Sequence, residues 1–290
     1  MSEPFITSAA NPLVKRVRAL GQRKHRQQEN AFVVEGIRAV WQAVESRAAV
    51  ETLIVAPDLL TSEPARHMIE QQHAAGMRVA AVSASIFERF AAREHPSGLA
   101  AIVHSTQRHL ADLAVTPRSL FVAVHEAGNP GNLGTILRTM DAVAADGLLL
   151  IGDATDPYHP GAVKASMGAL FTVPIVRLAR AEAALAWCRA QGIGIVTTSS
   201  QGGVPHWSAR YPQPCLLLFG SEGEGLPPAL LRGGDLAVRI PMSGSVDSLN
   251  LAVSAAILLY EVRRAQETKA GLPGTEETGS DTDNIAGAIE

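Results

Sequence analysis

Leu120–Ile151 reads LFVAVHEAGNPGNLGTILRTMDAVAADGLLLI. It holds an apolar run, a loop of Gly, Asn and Pro, an amphipathic stretch and a second apolar run. Leu133, Ile136, Leu137 and Met140 recur at helical spacing, so the middle is a helix opened by the loop. Continuous apolar runs such as LLLI, and CLLLF at Cys215–Phe219, are expected of strands covered on both faces in a parallel sheet. The fold class is therefore α/β.

Outward from this segment the pattern continues. Strands are expected at Leu120–His125, Gly147–Ile151, Thr172–Arg177, Gly194–Thr198, Cys215–Phe219 and Leu236–Ile240, with a last helix near Ser248–Arg264. That helix places Leu249, Ala252, Val253, Ala256, Ile257 and Tyr260 on one stripe, while Leu258 and Leu259 remain as apolar surplus for a second partner. Upstream, strands at Ala31–Val34, Thr52–Val55, Arg78–Val82 and Leu99–Val103 alternate with helices at Ile37–Ser46, Pro64–Ala75 and Ser85–Arg93. The polar stretch 106–118 divides a small unit, 1–105, from a larger one, 119–265. Residues 266–290 are Gly-, Thr- and acid-rich and read as a disordered tail.

Of the 290 residues, 47% are hydrophobic, enough for a sizeable core. No apolar run reaches the ~18 residues of a membrane span. The N-terminus lacks the apolar core of a signal peptide, and a cytoplasmic location is expected. The only cysteines, Cys188 and Cys215, have no ligand spacing, so neither a disulfide framework nor a metal is expected. The formal net charge is −3, but 266–290 carries −5, leaving +2 on the rest. Asn11–Asn30 sets Lys15, Arg16, Arg18, Arg23, Lys24 and Arg26 against Glu29 alone. Such a segment is either a phosphate-binding surface or a solvated helix face.

Three loops follow the carboxyl ends of expected strands, where open α/β sheets bind ligands. In the first, Asn132 stands where an N-cap belongs. Arg138, five residues past Leu133, is turned off the buried stripe, at about 100° per residue. By itself it is equally a surface ion-pair arginine. The glycines Gly128, Gly131 and Gly134 are spaced GxxGxxG rather than GxGxxG. With Asp153 after the next strand they keep a dinucleotide-binding dehydrogenase as a competitor. The second loop, FGSEGEGLP, has Gly220 for close backbone approach to a ligand. Its Glu222 and Glu224 argue against phosphate and tolerate a cation; Glu222 is otherwise a turn acid or a cap. In the third, IPMSGSVDSLN, Asp247 and Ser248 are candidate N-caps, and Asn250 lies just inside the helix, where it is a mediocre helix former.

These three stretches, NPGNLGTILRTMDA, LLLFGSEGEGL and IPMSGSVDSLNLAVSAAILLYE, resemble the three signature motifs of the SpoU/TrmH family of RNA ribose 2′-O-methyltransferases. The N-terminal stretch ITSAANPLVKRVRALGQRKHR…AFVVEGIRAV is similar to the substrate-binding domain of its 23S rRNA branch, RlmB-like and antibiotic-producer enzymes included. The resemblance implies a SPOUT-type parallel sheet with a C-terminal trefoil knot, and an L30e-like RNA-binding unit at 1–105. It also implies S-adenosylmethionine as cofactor and a homodimer. By motif position it makes Arg138, Asn132, Glu222 and Asn250 catalytic residues. It assigns Gly220, Ser221, Glu222, Ile240, Met242, Ser248 and Leu249 to the cofactor. RNA contacts are expected at Lys15, Arg23, Lys24 and Arg26. An AVAADG stretch replaces the family's usual aromatic-Gly element after the first motif, a packing difference. A tRNA substrate is the alternative to rRNA, and a catalytically silent RNA-binding protein the other class. Such a protein would be expected to have lost Arg138, Glu222 or Asn250. Arginine is a poor base in water, its pKa being about 12.5–13.8. Arg138 therefore either has its pKa lowered or, at lower physical cost, grips a phosphate and stabilises the developing oxyanion.

Overall fold

In the computed structural model, which describes residues 5–91, 94–199 and 202–269, central strands buried on both faces organise a seven-stranded sheet. Its elements are β5 (Leu120–His125), α6 (Pro130–Ala142), β6 (Gly147–Ile151), α7 (Pro160–Ser166), β7 (Ile175–Leu178), α8 (Ala181–Ala190) and β8 (Gly194–Thr198). They continue with β9 (Val204–Pro205), β10 (Cys215–Phe219), α9 (Pro228–Arg232), β11 (Leu236–Arg239) and α10 (Leu251–Lys269). The strand order is β7-β6-β5-β10-β8-β11-β9, every pairing parallel. Val122, Leu148, Leu150, Leu217 and Phe219 face a core shared with α6 and α10. Phe121, Ala123, Leu149, Leu216 and Leu218 face a second core shared with α8 and α9. Coverage on both faces is what the unbroken apolar runs require.

The smaller unit comprises α1 (Pro12–Ala19), α2 (Arg23–Glu29), β1 (Ala31–Glu35), α3 (Ile37–Glu45), β2 (Val50–Val55), α4 (Glu63–Ala74), β3 (Arg78–Ala81), α5 (Ala84–Glu88) and β4 (Leu99–His104). Its sheet runs β1-β4-β2-β3, with β4 antiparallel to both neighbours. One core runs through both units: Phe32 of β1 stacks on Tyr158 (ring centroids 4.5 Å apart) and on Phe171 (6.2 Å) of the larger unit. The stretch 106–118 is partly packed: Leu113 is buried in the second core, and Arg108 bridges Val176 on the edge strand.

Four expectations shift. The strand expected from Thr172 begins at Ile175, because Ala169–Phe171 form a 3-10 turn and Pro174 has no N–H for a ladder. The helix expected to reach Arg93 ends at Glu88, its buried anchors Ile86 and Phe87 both falling early; Arg93 is outside the described residues. The expected tail does not begin at 266: residues 266–269 continue the last helix, with Gln266 buried, and the rest from 270 on lies outside the described residues. The last helix begins at Leu251 rather than Ser248, and the expected stripe is out of phase. Ala252, Ala255, Leu258, Leu259 and Val262 are buried, whereas Val253 and Tyr260 are 48% and 57% exposed. A helix apolar on nearly every side has no single phase to read.

Candidate active site

Beside one another at the carboxyl ends of β5, β10 and β11 the three loops meet, and side-chain hydrogen bonds join them. Asn129, not Asn132, caps α6: its side chain accepts from the N–H groups of Gly131 (2.8 Å) and Asn132 (3.2 Å). With Pro130 at the first helical position, the Asn-Pro pair was the available sequence signal for this cap. Relieved of capping, the Asn132 amide turns outward. Its Nδ2 donates to Glu222 Oε1 (3.2 Å), and its Oδ1 accepts from Asn250 Nδ2 (2.9 Å). Asn250 is the cap of α10: its Oδ1 accepts from the Ala252 N–H (2.9 Å). That capping bond is why Asn250 tolerates this position, and why Asp247 and Ser248 stand exposed ahead of the helix.

Glu222 closes the arrangement. Its Oε2 accepts from the Gly128 N–H (3.1 Å) and its Oε1 from the Asn129 N–H (3.3 Å). Partial burial alone would raise its carboxyl. The donors Gly128, Asn132 and Asn129, with its own N–H, outweigh that and hold it below the ordinary carboxylate value. Gly128 and Asn129 are the site residues that sequence reasoning missed, since their part is played by backbone N–H groups.

Behind this clasp lies a cavity of about 730 Å³. Gly220, Ser221, Glu222, Ile240, Met242, Ser248 and Leu249 all line it, as does Asn250. A Cβ on Gly220 would lie 1.9 Å from the Gly225 carbonyl carbon, so only glycine allows the loop to fold back there. Ser221 and Gly225 exchange backbone hydrogen bonds across that turn (3.3 and 3.1 Å). Three carboxylates, Glu222, Glu224 and Asp247, border the cavity, and among the described residues no Lys, Arg or His does.

Arg138 sits two turns along α6 from Asn132, off the cavity wall. It is exposed, with no hydrogen-bond or ion-pair partner among the described residues. The stripe it is turned away from, Leu133, Ile136, Leu137 and Met140, is buried as the spacing required. Cys188 and Cys215 are buried free thiols, each pushed up to about 12, chiefly by desolvation.

The basic segment divides. Lys15, Arg18, Arg23 and Lys24 are exposed. Arg16 is committed to Glu29 and Glu51. Arg26, expected to meet RNA, is 4% exposed and paired with Asp156 of the larger unit at 2.8 Å, so it belongs to the interior. Charge pattern alone did not distinguish a solvated cation from one whose counter-ion lies 130 residues away.

Comparison with known proteins agrees with this geometry. Residues 119–260 match the SpoU rRNA Methylase family, and residues 11–101 match the MRM3-like substrate binding domain. A 23S rRNA guanosine 2′-O-methyltransferase of Bacillus subtilis, RlmP, is 30% identical, covering 89% of this chain and 98% of its own. A 23S rRNA uridine 2′-O-methyltransferase of Streptomyces viridochromogenes is 34% identical over 84% of this chain and 86% of that protein. The AdoMet-bound rRNA methyltransferase of Sinorhizobium meliloti superposes with a TM-score of 0.82 at 35% identity, over 90% of this chain and 97% of that one. With its motif-bearing unit matched from end to end and relatives aligned along nearly their whole length, the chain belongs to the SpoU rRNA methylase family.

Proposed function

We propose that this protein transfers a methyl group from S-adenosylmethionine to a ribose 2′-hydroxyl of large-subunit rRNA. The observation that carries the reading is the cavity closed by the Glu222–Asn132–Asn250 clasp. At about 730 Å³ it has the size of a small-molecule site, typically ~300–1,000 Å³. Its border of three carboxylates without a cation suits a ligand bearing a sulfonium and an ammonium. The same border disfavours the pyrophosphate of a nicotinamide dinucleotide, which weakens the dehydrogenase alternative. Apolar Ile240, Met242, Leu226 and Leu249 would hold the adenosine portion, with Gly220, Ser221 and Ser248 beside them.

When bound, the cofactor supplies an electrophilic methyl group. The chain's own task is to position and to stabilise charge. Glu222 fixes the loop 126–129, and Asn132 and Asn250 keep that loop in register with the two others. Arg138, without an internal partner among the described residues, grips the RNA backbone and stabilises the oxyanion that forms as the hydroxyl loses its proton. Exposed Lys15, Arg23 and Lys24 on α1 and α2 supply phosphate contacts.

The reading extends to the assembly. Val253 and Tyr260, with half-buried Ala256 and Ile257 between them, leave an apolar stripe on α10, and Trp207 nearby is 57% exposed. This stripe supports a homodimer built on α10. A knotted C-terminal threading is supported by the return of the chain from β11, beyond β8, to pack α10 on α6. An rRNA substrate supports a cytoplasmic location; among the described residues no helix is long and apolar enough to cross a membrane.

The test is to map ribose methylation in RNA from a deletion strain, and to supply the purified protein with deproteinised 23S rRNA and labelled cofactor. Loss of one large-subunit ribose methyl group in the strain, restored in vitro, is the expected result. Methylation of unmodified tRNA in preference to 23S rRNA would move the substrate to the tRNA branch.

A further inference from the structure

At the loop between β6 and α7 the smaller unit meets the catalytic one, and a buried guanidinium ties the two together there. Arg26 donates from Nε to Asp156 Oδ2 (2.8 Å), with Nη2 in ion-pair contact with the same oxygen (2.8 Å), and from Nη1 to the carbonyls of Leu20 (3.0 Å) and Gly21 (2.8 Å). One side chain thus ties the end of α1, the body of α2 and a catalytic-unit loop together. The other oxygen of Asp156 accepts from the Tyr158 N–H (3.0 Å), which sets the turn of that loop. The residue before it, Thr155, donates its N–H to Ala127 O (2.7 Å). Ala127 directly precedes Gly128 and Asn129, whose N–H groups are held by Glu222. A series of hydrogen bonds, linked by the peptide bonds Thr155–Asp156 and Ala127–Gly128, therefore leads from the basic α1–α2 corner to the catalytic loops.

We propose that Arg26 and Asp156 are positioning residues for methyl transfer, their ion pair setting where the basic α1–α2 corner stands relative to Arg138 and hence which ribose of a bound RNA reaches the site. The proposal rests on the ribose methyltransferase reading above. Adhesion between the units has another source: Phe32 on Tyr158 and Phe171, and Gly168 packed so close to α3 that a Cβ would lie 2.8 Å from Gln42. A buried ion pair adds little net stability, because desolvation offsets the attraction. What it adds to an apolar contact is direction: three hydrogen bonds and an ion pair from one planar group admit one placement. The exposed Arg23–Asp153 pair beside it, 3.8 Å apart, is too solvated to do the same.

The decisive variant is Arg26→Met with Asp156→Leu, which keeps apolar volume and removes the directional bonds without leaving a buried charge unpaired. It is compared with Asp156→Asn and with the wild type, using deproteinised, unmethylated 23S rRNA and S-adenosylmethionine. The double variant is expected to keep cofactor Kd and RNA Kd within about twofold while kcat falls at least about tenfold. Its methylation should also spread to neighbouring riboses. A folded double variant that methylates the wild-type ribose at the wild-type kcat overturns the proposal. So does a loss accounted for by RNA Kd alone, or failure of both variants to fold, which would make the pair a stability element. Should the wild type methylate no RNA, the functional reading falls first. The pair is then judged by amide exchange at Gly128 and Asn129, where faster exchange in the double variant supports positioning and unchanged exchange overturns it.

Discussion

Spacing at Arg138 gave an orientation, and the structure agrees with it. Its angle from Leu133 put it off the core stripe, and in the structure it is exposed with no internal partner among the described residues. Arg138→Ala should therefore leave thermal unfolding and cofactor affinity unchanged while methyl transfer drops more than tenfold, at least ~1.4 kcal/mol of barrier. Turnover within tenfold of wild type would remove it from the centre of the mechanism. Glu222 carries a pH consequence. Its carboxyl is depressed from the ordinary 4.5, so the clasp's contribution is fully present above that value and is lost only as pH falls through the lowered folded one. A carbon-detected titration should find Glu222 still ionised at pH 4.5, and amide exchange at Gly128 and Asn129 should not depend on its titration between neutral pH and that point. A Glu222 midpoint near neutrality would contradict the hydrogen bonding described. Less legible were residues whose meaning depends on distant partners. Arg26 looked like its solvated neighbours because nothing local announces Asp156. Asn132 was taken for a cap because its actual partners, Glu222 and Asn250, are 90 and 118 residues away.

Elements were legible where one periodicity dominated and illegible where several coexisted. β5, β6, β8 and β10 lie where the apolar runs placed them, since burial on both faces leaves a signal that needs no phase. α10 carried too much apolar surface for its inner face to be assigned. α7 went unread because only seven residues, PGAVKAS, form it, and its packing relies on smallness rather than on an apolar stripe. Gly134 of α6 is the counterpart of that smallness. A Cβ there would meet Ala162 O at 2.4 Å and the Ala165 Cβ at 2.7 Å. Gly134→Ala should force α6 and α7 apart and lower stability by about 1–3 kcal/mol, as overpacking does. Denaturant unfolding would measure it, and a neutral or stabilising effect would show that the two helices have room to separate.

For the whole molecule, a polar stretch suggested a division into two units, but the single core running through both was not legible, because it is assembled from Phe32, Tyr158 and Phe171 far apart in sequence. Two predictions belong to this scale. Sedimentation should give about twice the 30.6 kDa chain mass, and Val253→Asp with Tyr260→Glu should give a folded monomer. A wild-type monomer with full activity would defeat the α10 interface. Replacing Lys15, Arg23 and Lys24 with Ala should weaken RNA binding and flatten log K against log salt by up to about 0.7 per lost contact for single strands, leaving cofactor affinity unchanged. An unaltered slope would place the RNA elsewhere. The bond between Asn132 and Asn250 has one more consequence, which concerns time. The α6 loop is synthesised well before the turn bearing Glu222, and Asn250 emerges later still, 118 residues after its partner. Contacts so distant in sequence are slow to form, since loop closure must precede any gain from them. A nascent chain halted after β10 would carry Arg138 and most of the sheet but no closed clasp. Methylation competence should thus appear late and abruptly during folding, with the arrival of α10.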